Sequence, residues 1–405
     1  MFKKIVIITY FASLAADANF ATNIFTFDQT NLSKPIPKHQ HWRITAIGEG
    51  AFDTSGHNLT GETVNILQIW QSDQSALNAI RGFDSDTQIG KLEAQLNSAN
   101  DDGVRGHVLP TANLELSKLC LGLKYKLPKH LNLNLFVPIF KMKLSNINWV
   151  DQTQSISFAD ALTKAKLTNN FTQNIAELSG GLNIQSGWEK MGFGDTELTL
   201  QWQRTFRQPK PILKAVQLGL YSGLSLPTSK QANQDQLLSI PFGNNGSTGL
   251  LFGGNIQVQW WNHLRGGINA SFIEQLGTTY ERRIKTSPTQ TDLIFLAKAR
   301  TRTESGFTQQ FTLFLEGYKF LPGCSAKVAY NYIKHNQDHL EVLDERYSSE
   351  IANTAVSLQE WTQHSAIFTL SYTGKCLATL YYKHPFNGKS TIQSKIVGGS
   401  IGISF

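Results

Sequence analysis

From residue 41 onward, apolar and polar side chains alternate in runs of about 10 to 14 residues, the period of two that a strand with unlike faces imposes. Thr196–Phe206 shows it best: Leu198, Leu200, Trp202 and Phe206 share one face, and Glu197, Thr199, Gln201 and Gln203 the other. Leu131–Ile139 and Gly254–Trp261 divide in the same way. The pattern predicts twelve strands, at 41–52, 114–127, 131–144, 193–206, 213–226, 248–261, 264–276, 306–319, 324–335, 361–373, 376–384 and 392–405. Connections between them alternate long and short. The long ones are 53–113, 145–192, 227–247, 277–305 and 336–360; the short ones are 128–130, 207–212, 262–263, 320–323 and 374–375, with a medium connection at 385–391. An even strand count with loop length sorted by side is the requirement of a transmembrane antiparallel β-barrel whose short turns face the periplasm, and a soluble sandwich has no reason to sort its loops.

The short turns carry breakers: Pro128, Pro209, Pro211, Pro322-Gly323 and Thr373-Gly374. Beside them stand Tyr125, Phe206, Trp260, Trp261, Phe320 and Tyr372, an expected aromatic girdle at one membrane interface. The long connections have structure of their own. Asp73–Ala99 spaces Leu77, Ile80, Ile89, Leu92 and Leu96 as a helix would, and Ala159–Leu178 and Thr291–Ala299 also read as short helices. Segment 62–99, which begins with the Val64, Ile66, Leu67, Ile69, Trp70 cluster, carries too much apolar surface for open water, so it is expected to plug the lumen or cap it.

Composition sharpens this picture. Of 405 residues, 40% are apolar and only 17% charged, so the polar faces are filled by Asn, Gln, Ser, Thr and 32 Gly rather than by Lys and Glu. The 11% of aromatics excludes a disordered chain, and a mean hydropathy of -0.23 without any long apolar run excludes transmembrane helices. Residues 1–18 read as a signal peptide, with Lys3 and Lys4, an apolar stretch from Ile5 to Ala16, and Ala16-Asp17-Ala18 as the cleavage site. Residues 19–40 then form a periplasmic N-terminal extension, and 41–405 the barrel. The net charge of +7 includes no basic run, which argues against nucleic acid as a partner.

Candidate chemistry is sparse. Cys120, Cys324 and Cys376 are too scattered for a metal site or a disulfide framework. His364-Ser365 are neighbours on one strand and point to opposite faces, so they cannot pair for catalysis. Asp101-Asp102-Gly103 reads as a solvated turn rather than a calcium loop. No enzyme activity, cofactor or metal is expected. The residues expected to line the lumen are Lys124, Phe136, Phe140, Asp195, Glu197, Gln201, Tyr221, Phe314, Glu316 and Tyr318. Asp195 and Glu197 would form an acidic constriction opposite Lys118, Lys124, Lys327 or Arg265, or else a salt-bridged wall. The bulk of the aromatics suggests a narrow, partly obstructed path, since a twelve-stranded barrel is only somewhat wider than the eight-stranded barrels that side chains fill.

Gly192-Phe193-Gly194-Asp195 leading into the strand 196–206, then Gly219–Ser229 (GLYSGLSLPTS), then Phe252-Gly253-Gly254, resemble outer-membrane channels of the phenol-degradation-pathway transporter family, distantly related to FadL-type channels. Phe136-Val137-Pro138 resembles the family's strand with an internal proline, while Ser229 stands where the family usually has glycine. About 80 residues carry the likeness. It implies an outer-membrane channel for passive uptake of small, hydrophobic or aromatic molecules; a structural or adhesive barrel whose loops bind partners is the alternative. The implied surroundings are outer-membrane lipid, lipopolysaccharide, a small-molecule solute and the barrel assembly machinery, which would read the C-terminal strand Val397, Gly399, Ile401, Ile403, Phe405.

Overall fold

In the computed structural model, residues 36–37, 39–96 and 103–405 are described. The expected signal peptide 1–18, most of the extension 19–40, and Asp101 and Asp102 lie outside them. Twelve strands form one antiparallel barrel: β1 (Trp42–His57), β2 (His107–Lys126), β3 (Leu131–Asp151), β4 (Thr196–Arg207), β5 (Leu213–Leu226), β6 (Gly249–Trp260), β7 (Leu264–Gln275), β8 (Thr308–Leu321), β9 (Cys324–His335), β10 (Trp361–Thr373), β11 (Leu377–Lys389) and β12 (Thr391–Ser404). Each pairs with its sequence neighbours, and β1 pairs with both β2 and β12, so the sheet closes on itself. Closure removes the unpaired edges that would otherwise be exposed to lipid.

Alternation decides which side each residue faces. Along β4, Leu198 and Leu200 are exposed while Thr199, Gln201 and Gln203 are buried; along β2, Leu119 and Leu121 point out and Lys118, Cys120 and Lys124 point in. The outer surface is thereby an apolar belt that continues through Leu220, Ile268, Leu313, Leu370, Leu380 and Ile401. Trp261, Phe320, Tyr372 and Trp42, which packs on Tyr125, are exposed at the short-turn end. At the other end Phe252 stacks on Phe272, and Phe52 on Tyr382. Apolar side chains outside, aromatic rings at both rims and polar side chains inside are the surface of a barrel that spans a bilayer.

The first and last strands of the barrel meet at the short-turn rim, where the Phe405 carbonyl accepts from the backbone amides of His41 and Trp42, both at 2.9 Å. In the two-residue turn between β8 and β9, Gly323 takes a φ of +78°, a conformation that an L side chain resists.

Three expectations about elements are corrected. β2 and β3 run farther than expected, from His107 and to Asp151, because their outer ends bury apolar interior residues under the loops. The connection expected at 385–391 is the single residue Ser390, so one of the six turns on the long-loop side is tight. Thr291–Ala299 is not helical: Ala297–Glu304 is a strand, paired with Thr278–Ile284 and His339–Val342 in a separate three-stranded sheet above the barrel. The helices expected in the other loops are present, at Ala76–Ala79, Gln88–Leu96, Phe158–Thr163 and Phe171–Leu178.

Candidate functional site: the barrel interior and its loop cap

The interior has three layers. At the long-loop end, one apolar core joins Ile66, Leu67, Ile69, Leu77 and Ile80 of the first loop to Leu167, Phe171 and Ile175 of the second, and to Leu237 and Phe242 of the third. The same core includes Leu114 and Leu116 of β2, Met142 and Leu144 of β3, and Ile392 and Ile396 of β12, all facing inward. The loops therefore share a core with the inner wall of the mouth. Burial of each such side chain contributes about 1.5 to 3 kcal/mol, which is what holds an otherwise polar set of loops in place.

Polar contacts fix the register of this cap. Where β2 bulges at Ala112, the free backbone amide and carbonyl are met by the side chain of Asn65, at 3.0 and 3.1 Å. Gln290 Nε2 donates to the Ala79 carbonyl at 2.9 Å, and Thr286 Oγ1 to the Arg81 carbonyl at 2.6 Å, tying the fourth loop to the first. Asp292 lies 3.4 Å from Lys285 Nζ and accepts from the amides of Val356 and Ser357 in the fifth loop. Burial raises the Asp292 carboxyl above the usual aspartate range, against the pull of Lys285 and those amides. Arg283 donates to Asp235, to the Ser179 carbonyl and to the Gln234 carbonyl, so a single guanidinium joins three loops. Burial opposes the Asp235 carboxylate, yet hydrogen bonds from Lys298 and Arg283 outweigh it and hold its pKa below the ordinary value.

The middle layer is charged and paired. Glu49 of β1 and Lys118 of β2 are directly cross-strand, nearly inaccessible, and form a salt bridge; the Tyr381 hydroxyl donates to the same carboxylate. Nearer the short turns, Lys124, directly across from Arg43, donates from Nζ to Gln201 Oε1 at 3.1 Å.

The two members of the expected acidic pair differ in their partners. Lys118 engages Glu49, and Asp195 accepts from the backbone amides of Ser229 and Asn244, anchoring the third loop; Glu197 faces inward on β4. The Gly194-Asp195 turn stands where the neighbour of β3 changes from β4 to the short strand Trp188–Phe193. Pro138 of β3, with no amide to donate, occupies that break, and its carbonyl accepts from Gly194 at 2.8 Å. Phe140 stacks on Phe242 of the third loop beside it, with ring centres 5.8 Å apart.

Four inward aromatic rings lie over glycines directly across from them: Phe136 on Gly122, Tyr221 on Gly253, Phe314 on Gly267 and Tyr381 on Gly398. A Cβ at Gly267 would stand 2.8 Å from the Phe314 ring, and one at Gly253 2.6 Å from the Tyr221 ring, so the absent side chains let the rings lie along the wall. The rings therefore lie along the inner wall, and the first three long loops pack into the long-loop end.

At the short-turn end a cavity of about 800 Å³ remains. Phe314, Glu316 and Tyr318 of β8 line it together with Gln217, Gln257 and Asn269. Arg265 stacks on Tyr318 and stands 3.9 Å from Glu316. Of the residues that the sequence singles out, Phe314, Glu316 and Tyr318 come together here; Lys124, across from the cavity-lining Arg43, meets Gln201 on the wall; Phe140 and Asp195 belong to the loop cap. Sequence reasoning missed Glu49 and Tyr381. His364 and Ser365 face opposite sides, His364 toward the Tyr330 hydroxyl and Ser365 into the interior.

A closed twelve-stranded barrel with an apolar belt, a polar interior and a stitched loop cap belongs to the class of membrane-spanning β-barrels. No family model matches the chain, and no curated protein matches it. Among solved structures, it is similar to an outer membrane channel from Pseudomonas putida F1, with 12% identity, 92% of this chain and 97% of that one covered, and a TM-score of 0.49. It is also similar to the monoaromatic hydrocarbon channel CymD (7% identity, 95% and 93% covered, TM-score 0.35) and to the toluene transporter TbuX of Ralstonia pickettii (11% identity, 90% and 88% covered, TM-score 0.34).

Proposed function

We propose that the protein is a channel of the bacterial outer membrane for passive uptake of small, hydrophobic or aromatic molecules. One observation carries the reading: the interior runs from an apolar, ring-bearing core at the long-loop end to a cavity of about 800 Å³ at the short-turn end, a size that accommodates a small organic solute. The loop core supplies the apolar surface that such a solute prefers to water. Segment 62–99 acts as the plug in the mouth, a role that its shared core with Leu114, Leu116 and Ile396 supports. Lys124, Phe136, Glu197, Gln201, Tyr221, Phe314, Glu316 and Tyr318 line the solute's path, while Phe140 and Asp195 hold the loops that gate it. Lipid and lipopolysaccharide surround the belt, and the assembly machinery reads the last strand through the exposed Phe405.

The test is uptake. Proteoliposomes holding the purified barrel take up benzyl alcohol faster than protein-free liposomes and faster than they take up a sugar of similar mass. Uptake equal to that of protein-free liposomes for every small solute tried would overturn the proposal.

A further inference from the structure

The charge around the short-turn cavity is one-sided. Among the described residues, seven basic side chains line it against a single carboxylate, Glu316. They come from the whole circumference: Arg43 on β1, Lys214 on β5, Arg265 on β7 and Lys327 on β9, with others near the turns. Arg43 Nε donates to Ser404 Oγ at 2.9 Å and the Lys327 ammonium stands 5.8 Å from the Phe314 ring centre, while Arg265 stacks on Tyr318 and also stands 3.9 Å from Glu316, the one carboxylate of the lining. The middle layer differs: there Lys118 is matched by Glu49.

We propose that this cavity is an anion-binding vestibule, and that the molecules it takes are small organic acids with an apolar ring and a carboxylate. The inference rests on the uptake reading and narrows its solute class. A carboxylate in a cavity with a low-dielectric wall and an excess of six positive charges is drawn from every side, and so many like charges at cavity distances raise its local concentration about tenfold even after screening at 0.1 M salt. Phe314 and Tyr318 supply flat apolar surface for the ring, and Gln217, Gln257 and Asn269 supply neutral hydrogen bonds that hold a solute without trapping it. Arg265, held over Tyr318 between Glu316 and Gln259, adds its positive charge to the same wall.

Benzoate and benzyl alcohol share a ring and differ in charge, so their equilibrium binding to the full-length barrel in detergent separates the terms. Benzoate is expected to bind about tenfold more tightly at low salt, and to lose most of that advantage at 0.5 M salt. Lys214→Gln with Lys327→Gln lowers benzoate binding at least threefold and leaves benzyl alcohol unaffected, with the folded, heat-modifiable band on gels unchanged. Should that double variant fail to fold, the single Lys214→Gln gives the same reading at smaller amplitude. Equal binding of the two solutes, no benzoate binding, or a benzoate preference unchanged by the substitutions and by salt would overturn the vestibule. Uptake by proteoliposomes is read separately: uptake of both solutes without a binding preference defeats only the anion inference, and no uptake of either defeats the channel.

Discussion

At the scale of single residues, position along a strand decides whether a side chain meets lipid or the interior, and the cost of a charge follows. Leu200 is exposed on the belt and Gln201 is buried inside, one residue apart. Leu200→Arg is expected to destabilise the barrel by about 2 to 4 kcal/mol, and Gln201→Arg by far less, in unfolding titrations in lipid vesicles. Equal losses would contradict the alternation. The Glu49–Lys118 pair obeys a different rule, because removing one partner strands a buried charge. Lys118→Ala should cost about 3 to 5 kcal/mol, whereas replacing both members with apolar residues should restore most of it. The glycines under the rings make a third test. Gly122→Val, whose Cβ would stand 2.9 Å from the Phe136 ring and meet only side chains, would displace that ring into the interior and lower single-channel conductance, whereas Gly254→Ala, whose Cβ would touch nothing closer than 3.0 Å, should leave it nearly unchanged. The inward parity of Lys124, Gln201 and Phe314 was legible in the sequence, since it needs only a period of two. The Glu49–Lys118 pair and the ring-on-glycine contacts were not, since each depends on the register between strands, and Glu49 and Lys118 are brought together by barrel closure.

At the scale of elements, strands and loops differ in how much of their structure is local. The bounds of β5, β9 and β10 coincide with the alternating segments at 213–226, 324–335 and 361–373, because one face against lipid leaves an unbroken apolar signal. Ala297–Glu304 alternates too, but its apolar positions are alanines and its buried face is threonine, so it lacked the contrast that marks a strand. Its place is set by partners at 278–284 and 339–342, beyond the reach of any local pattern. The loop cap that it belongs to is held partly by Asp235. That carboxylate's pKa is lower folded than unfolded, so its ionised form stabilises the cap above the ordinary aspartate pKa, and the contribution disappears as pH falls below about 4 and through the folded value. Amide exchange in 278–304 should accelerate on acidification in that range, and Asp235→Asn should give the faster exchange already at pH 6 and flatten the pH dependence. Exchange in the native protein that is indifferent to pH between 6 and 3 would remove Asp235 from this role.

At the scale of the whole molecule, the barrel and its cap have separable tasks. Twelve strands close the wall without any help from the loops, since β1 pairs with β2 and β12 along most of its length. The cap shares its apolar core with the inner wall of the mouth, and in the proposed function it determines what can pass. The measurement that tests this division most directly is single-channel conductance in planar bilayers, comparing the intact protein with one lacking residues 63–99. Small steps from the intact protein and distinctly larger steps from the shortened, still heat-modifiable barrel are the expected result; no steps from either protein, or the same conductance from both, would contradict a channel closed by its first loop.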